Sequence, residues 1–349
     1  MLKGDWTGLD LLRLSGAYWQ SCAVHAAVQL DIFTLLGQNP LNDQELAEKL
    51  GCPVRGLSML ITALASLGLV RRVRGRTSPV AGALRYLSRS SPDYLGFIIR
   101  HHANVMPGWT RLAETVRSGL NQSGAEIFFT EEEEEREAFL LGMHNVASLQ
   151  AESVAEALNL SGRKKLLDAG GGPGSYAVYF CKKNPQLTAT ILDLPSSERF
   201  ARKVIADFGL EGRVDFLGGD LLRDPLPAGH DVVWISQVLH GLSPAAAATL
   251  VAAAAAALEP GGLFCVQEFL LRDSRTGPAG AALFSLNMLT QTKDGQAYTE
   301  KEISGMLSAA GILRPRLLDE KFPGGARVLL GEKKAGSKTQ GCGFDPEKA

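Results

Sequence analysis

The stretch KKLLDAGGGPGSYAVYF (residues 164–180) constrains the fold more than any other part of this chain. An apolar run closes on Asp168, three consecutive glycines follow, and after Pro173 and Gly174 apolar residues resume at helical spacing. A strand that turns into a helix through glycines lets a ligand approach the backbone, because no side chain stands in the way. From this point strand-like runs alternate with helical stretches: KLLDAG, TATILDL, RVDFLGG, DVVWIS and LFCVQEFLL, separated by 174–184, 196–209 and 244–258 among others. That alternation predicts an α/β fold, a Rossmann-like, doubly wound, parallel sheet. In SPAAAATLVAAAAAALEPGG, Ser243 is placed to cap a crossover helix, with Pro244 in its first turn and Pro-Gly-Gly as its stop. RPRLLDEKFPGGARVLLGEKK reads as a C-terminal hairpin around Pro323-Gly324-Gly325, adding an antiparallel strand to the sheet.

Residues 1–160 have a different texture, mainly helical with one short strand pair. LLRLSGAYWQSCAVHAAVQLDIFTLL carries apolar residues at helical spacing up to Gly37 and Pro40. Asn42 or Asp43 can cap a short helix that stops at Gly51, a second helix follows from Pro53, and LVRRVRGRTSPV suggests two strands around Gly75. Helix, helix and β-wing is the winged-helix order. A DNA-reading winged helix presents polar and basic side chains on its second helix, whereas this one offers only Arg55 among apolar and small residues. Arg71, Arg72, Arg74 and Arg76 gather in the wing instead, so a regulator with salt-dependent DNA binding stays a rival reading. Two longer helices are expected over SPDYLGFIIRHHANVMPGWTRLAETVRSG and TEEEEEREAFLLGMHNVASLQAESVAEALNL. Thr130 and Glu133 can form a capping box for the second, with the acids complementing its dipole.

Bulk composition narrows the function. A net charge of −1 provides no field to draw the protein to nucleic acid or an anionic membrane. The six histidines and five cysteines are scattered, without CxxC, HExxH or EF-hand spacing, so no resident metal is expected. The cysteines lie mostly in apolar runs, as reduced thiols do. The opening MLKGDWTGLDLLRL lacks a signal-peptide core, and no apolar run reaches the ~18 residues of a membrane span, so a cytoplasmic protein is expected.

The loop excludes one ligand by its own spacing. A dinucleotide fingerprint counted from Gly170 needs glycine at 175, where Ser175 stands, which argues against an NAD-dependent dehydrogenase. What is present is Asp168, Gly170, Gly172 and Gly174, with Asp193 following Gly174 by 19 residues at the end of the next strand. A carboxylate there can take both hydroxyls of a ribose, and Asp220 in LGGDLL is placed to reach an adenine amine. No lysine or arginine near the loop answers a pyrophosphate. An adenosyl ligand without phosphates, S-adenosylmethionine, fits these residues.

With these pieces in view, the chain resembles the class I S-adenosylmethionine-dependent O-methyltransferases of the caffeate and hydroxyindole (acetylserotonin) type, including bacterial members acting on polyketides. The resemblance spans roughly residues 15–334 and rests on LLDAGGGPG, ILDLP, GGDLLRDPLP, VLHGLS, ALEPGG and FSLNMLTQT. It implies a homodimer formed through a winged-helix-like N-terminal domain. It places Gly170, Gly172, Asp193 and Asp220 on the cofactor, with Asp168, Gly174, Leu194, Leu221 and Ser236 in the same site. His240, after the fourth strand, matches the family's base, and Glu268 matches the acid that orients it. Methyl transfer to a phenol, with a pKa near ~10, is helped by a base, and imidazole near ~6.5 suits that role. Met106, Trp109, Phe139, Met143, Phe284, Asn287 and Met288 fall where the family clamps a flat acceptor; His144 beside them touches substrate or caps a packed surface. The expected layout is a dimerisation domain over 1–100, a helical linker contributing to the substrate pocket over 101–160, the S-adenosylmethionine-binding domain over 161–334, and a disordered tail over 335–349.

Two positions depart from the family pattern. His-Asp-Trp becomes His240-Gly241-Leu242, and a second flanking glutamate is replaced by Ala297 in DGQAYT. The base thus loses acidic neighbours, which keeps open C- or N-methylation, or a non-methylating chemistry such as hydroxylation or decarboxylation. The expected activity is O-methylation of a small phenolic, indolic or polyketide-like aromatic, with His240 as base.

Overall fold

A computed structural model describes residues 6–122 and 132–335. The chain forms two compact units that part between Leu149 and Gln150. In the first, the leading apolar stretch is three helices rather than one: Gly8–Ser15, Tyr18–Gln29 and Ile32–Gln38. The second break is set by Asp31, whose left-handed backbone (φ 55°) cannot continue a helix. Asn42 caps Asp43–Leu50 in a reciprocal box with Glu45, and Gly51 ends that helix at φ 63°. Helix Val54–Ser66 buries Leu57, Ile61 and Leu64 along one stripe. The wing pairs β1 (Val70–Val73) with β2 (Arg76–Pro79) across Arg74 and Gly75, at φ 51° and 76°, the geometry a two-residue hairpin demands. Two of the four wing arginines are engaged by neighbouring acids: Arg72 lies 2.6 Å from Asp43 and Arg76 3.1 Å from Glu45.

Each of the two longer helices is likewise divided. One runs Gly96–Thr110 and restarts as Leu112–Ser118; the other runs Glu133–Ser148 and restarts as Ala151–Ala157. Glu132 stands at the cap of the second without a side-chain bond, and Thr130, expected there, lies outside the described residues. The tail beyond Ala335, with Cys342, also lies outside them.

The second unit holds the remaining strands: β3 Lys165–Ala169, β4 Thr188–Asp193, β5 Val214–Gly218, β6 His230–Ser236, β7 Leu258–Glu268, β8 Ile312–Leu317 and β9 Arg327–Lys333. They form one sheet in the order β5-β4-β3-β6-β7-β9-β8. β3 to β7 are parallel, and β9 runs antiparallel to both β7 and β8. Helices Ser175–Lys183 and Glu198–Asp207 cover one face; Pro244–Ala257 and Glu300–Ala309 pack together over the other. Ser243 caps Pro244–Ala257 as its spacing predicts, but Pro260-Gly261-Gly262 is not its stop. The helix already ends at Ala257. Residues 259–262 bulge out of β7, because Leu258 pairs with His230 while the next register pair is Leu263 with Val232.

The core explains why the sheet holds. Leu167, Val233, Ile235, Phe264 and Val266 are fully buried against Leu250, Val251 and Leu307. Each such side chain contributes about 1.5–3 kcal/mol. Trp234 and Phe180 fill the opposite face edge to face, with ring centroids 4.9 Å apart. Strand order reverses at β3, whose neighbours are β4 on one side and β6 on the other. The crevice at the carboxyl ends of β3 and β6 is where such sheets hold ligands. Among the described residues no helix is long and apolar enough to cross a membrane.

Candidate active site

The loop leaving β3 needs its glycines for two separate reasons. Gly170, Gly172 and Gly174 have φ of 76°, 52° and 74°, a region that L side chains enter at a cost. Space is closed as well: a Cβ on Gly170 would stand 2.5 Å from Val238 Cγ2, and one on Gly174 2.2 Å from Ile191 Cδ1. The Gly170 amide donates to the Leu192 carbonyl at 2.8 Å, and the Gly172 amide donates to Asp193 Oδ2 at 2.7 Å. Asp193 Oδ1 accepts from the Leu194 amide at 2.8 Å and from Ser197 Oγ at 2.7 Å. These bonds use three of the about four acceptor directions of a carboxylate, leaving one on Oδ2 for a ligand hydroxyl. Burial raises the Asp193 pKa, opposed by the bonds from Ser197, Gly172 and Leu194.

Asp168 lies beneath the loop. A Cβ on Gly171 would be 2.6 Å from its carboxyl carbon, it is 1% exposed, and its Oδ2 has no hydrogen-bond partner. Burial, and then the neighbouring Asp193 charge, push its pKa up to about 7, with the Ala177 backbone bond opposing. Asp220 lies two residues past β5, where its Oδ1 accepts from the Leu222 amide at 2.9 Å. Leu221 is beside Gly170, its Cδ1 being 3.1 Å from where a Cβ would stand. Ser236, closing β6, donates to Gln267 Oε1 at 2.8 Å.

Sequence reasoning passed over Gln237. It takes φ 59°, uncommon for glutamine, and its Nε2 is buried without a partner at the carboxyl end of β6. It is a buried donor without a hydrogen-bond partner, three residues before His240. Gln267 is similar in one respect: fully buried in an otherwise apolar strand, it was visible as a polar interruption of LFCVQEFLL.

His240 sits in the 3₁₀ turn Leu239–Gly241 that follows β6, and Glu268 ends the adjacent β7. Parallel neighbours thus bring the two together across 28 residues, with His240 Nδ1 2.8 Å from Glu268 Oε2. The other carboxylate oxygen accepts the His240 backbone amide at 3.2 Å. Both side chains are buried, 7% and 2% exposed. A carboxylate only accepts, so Nδ1 carries the proton of this bond and Nε2 of the neutral ring keeps its lone pair. Phe284 meets the imidazole edge-on, centroids 4.7 Å apart at 88°, and is itself backed by Phe269 at 4.6 Å.

The acceptor-clamp candidates fall in two sets. Phe284, Asn287 and Met288 belong to helix Ala279–Gln291 of the second unit, where Met288 is buried. Met106 and Trp109 lie on Gly96–Thr110, and Phe139 and Met143 on Glu133–Ser148, both in the first unit. Those two helices approach closely at Gly142, where a Cβ would be 3.0 Å from Ile98 Cα. Phe139 packs on His101, centroids 5.4 Å apart, and burial lowers the His101 pKa to about 4. His144 Nε2 lies 3.4 Å from Ser148 Oγ.

Known proteins fit this arrangement. Residues 109–313 match the O-methyltransferase domain family, and 12–86 match the O-methyltransferase dimerisation domain. The chain is 33% identical to a 3-hydroxy-5-methyl-1-naphthoate 3-O-methyltransferase of Streptomyces sahachiroi, over 93% of this chain and 94% of that protein. It is 35% identical to a tetracenomycin polyketide synthesis 8-O-methyl transferase of Streptomyces glaucescens, over 86% of this chain and 90% of that protein. Human N-acetylserotonin methyltransferase in complex with SAM superposes with a TM-score of 0.85 at 28% identity, covering 96% of this chain and all of that one. An alternating sheet, an adenosyl-type loop and a dimerisation module thus occur together, and the chain belongs to the S-adenosylmethionine-dependent O-methyltransferase family.

Proposed function

We propose that this enzyme methylates a hydroxyl group of a small, flat aromatic compound, with His240 as the general base. The observation that carries the reading is the buried 2.8 Å bond between His240 Nδ1 and Glu268, at the same sheet edge as the glycine loop. The loop suits S-adenosylmethionine by its chemistry: it has a ribose-type carboxylate in Asp193, bonded to the Gly172 amide, and unpartnered buried atoms in Asp168 Oδ2 and Gln237 Nε2. Gly170, Gly172, Gly174, Asp193, Leu194, Asp220, Leu221 and Ser236 would hold it. The bound cofactor supplies a methyl group already activated on a sulfonium, so no metal or redox partner is called for.

What remains for the protein is orientation and proton removal. Displacement at the methyl carbon needs the acceptor oxygen about 3–3.5 Å away and in line. Phe284, Asn287 and Met288, on the helix whose Phe284 meets the His240 ring, are the side chains of the second unit we assign to grip the acceptor ring, thioether and aromatic edge suiting its faces. The lone pair on His240 Nε2 takes the hydroxyl proton, and Glu268 stabilises the imidazolium that results. Positioned base catalysis of this kind contributes roughly 10²–10⁴-fold. The relatives named for naphthoate and polyketide O-methylation support a phenolic acceptor. Ala297, where the family pattern puts a second carboxylate, favours as a second reading an acceptor needing a weaker base, a nitrogen or carbon nucleophile.

The enzyme works as a homodimer in this account. Helix Gly8–Ser15 has no buried residue, and Leu12, Leu14 and Trp19 are 72%, 61% and 69% exposed. Such an apolar surface suits a second copy of the chain. Two measurements test the reading together: calorimetry with S-adenosylhomocysteine on wild type and Asp193→Ala, then methyl transfer to hydroxynaphthoates, hydroxyindoles and matched anilines. Binding abolished by Asp193→Ala and transfer to hydroxyls alone are expected. Transfer to the anilines in preference would replace the acceptor assignment.

A further inference from the structure

The turn bearing His240 is held from two sides, and only one of them is the glutamate. On the other, the segment following helix Ala279–Gln291 runs beneath it. The Gln296 amide donates to the His240 carbonyl at 2.8 Å, and the Tyr298 hydroxyl donates to the Leu242 carbonyl at 2.6 Å. Tyr298 is 1% exposed and anchored by its own backbone, whose carbonyl accepts from the Leu271 amide at 2.9 Å. Between these contacts Gly295 is obligatory, since a Cβ there would fall 2.5 Å from the His240 carbonyl oxygen. Burial, and to a smaller degree the Glu268 and Glu302 charges, push the Tyr298 pKa up to about 12, so the hydroxyl keeps its proton and remains a donor.

These contacts sit where the family pattern is broken. With alanine at 297, Glu268 is the one carboxylate bonded to the imidazole among the described residues, and Ala297 is packed among Leu271, Ala281 and Phe269. A turn of three residues has little stiffness of its own, and a base displaced by a fraction of an ångström loses its alignment with the acceptor. We infer that Tyr298 is a positioning residue for His240, its hydroxyl clamping the Leu239–Gly241 turn through the Leu242 carbonyl in place of the missing carboxylate. It touches neither cofactor nor acceptor and acts through the imidazole. The inference rests on His240 being the base, yet it concerns a bond that can be observed without turnover.

The test is Tyr298→Phe, which removes one oxygen and leaves the ring in the core. The readouts are the downfield Nδ1–H proton resonance of His240, assigned by its loss in His240→Ala, and the separate values of kcat and KM for a phenolic acceptor. In Tyr298→Phe the resonance moves upfield and broadens, kcat falls about tenfold, a single buried hydrogen bond being worth ~1–1.5 kcal/mol, and KM and S-adenosylhomocysteine affinity stay within twofold. An unchanged resonance with unchanged kcat in Tyr298→Phe overturns the inference, as does a rise in KM with kcat intact. If His240→Ala keeps full activity, the base assignment fails instead, and the resonance still reports whether Tyr298 holds the ring.

Discussion

Replacing Asp168 with asparagine should stabilise the cofactor-free protein in mild alkali and fail to do so in mild acid. The carboxyl is fully buried, has an unpartnered oxygen, and lies near Asp193. Its folded-state pKa of about 7 stands above the ordinary 3.8, so the folded protein binds the proton more tightly than the unfolded chain. The penalty is therefore absent below about pH 4, grows between about pH 4 and 7, and is complete above that window. At about 1.4 kcal/mol per pKa unit, the charged carboxylate costs the folded state roughly 4 kcal/mol. Asparagine removes the charge but places an amide nitrogen where no acceptor waits, costing about 1–3 kcal/mol. The net gain above pH 8 is about 1–3 kcal/mol, or roughly 2–12 °C in the melting temperature of a domain of this size. At pH 4.5 the carboxyl is almost wholly protonated and the charge penalty has fallen by roughly 3 kcal/mol, so the gain vanishes or turns into a small loss. Thermal unfolding at both pH values reads this directly, and Trp234, the register partner of Asp168 in β6, reports locally by fluorescence. An equal effect of the substitution at the two pH values would refute the reasoning.

Three further outcomes follow from the geometry. Gly174→Ala forces a Cβ to 2.2 Å from Ile191 Cδ1 at φ 74° and should cost about 2–5 kcal/mol. Adding Ile191→Val, which deletes that methyl, recovers the crowding part but not the backbone part, as denaturant titration would show. Glu268→Gln can donate to Nδ1 and thereby put the imidazole proton on Nε2. Its kcat should drop by about 10²–10⁴ with cofactor affinity intact, and a near-normal kcat in stopped assays would contradict the tautomer argument. Leu12→Glu with Trp19→Glu should convert the dimer to a monomer in sedimentation velocity, and a persisting dimer would move the interface elsewhere.

Much of the second unit was legible because its signals are steric. At Gly170 and Gly174 a φ above 70° coincides with a space closed to any Cβ, and Asp193 and Glu268 sit where strands end. Pro260-Gly261-Gly262 was misassigned because a helix stop and a β-bulge ask for the same residues; only the pairing of Leu258 with His230 separates them. The divided helices share a related cause: the break at Asp31 is a backbone choice at a residue that is also tolerated within helices. Gln237 and Tyr298 were invisible for another reason. One is marked by an unmet bond and the other by a bond to a carbonyl 56 residues away, and neither leaves a pattern in local composition.

The central claim is that His240 removes the acceptor proton during methyl transfer. It is tested most directly by single-turnover transfer from methyl-labelled S-adenosylmethionine to a hydroxynaphthoate, with both ligands saturating, in wild type and His240→Ala. The account predicts a rate at least ~10²-fold lower in the variant at pH 7.5, with cofactor affinity unchanged and much of the difference recovered at pH 10, where the phenol ionises without help. Equal single-turnover rates at pH 7.5 would contradict it, and would leave the His240–Glu268 pair a structural bond rather than the catalytic one.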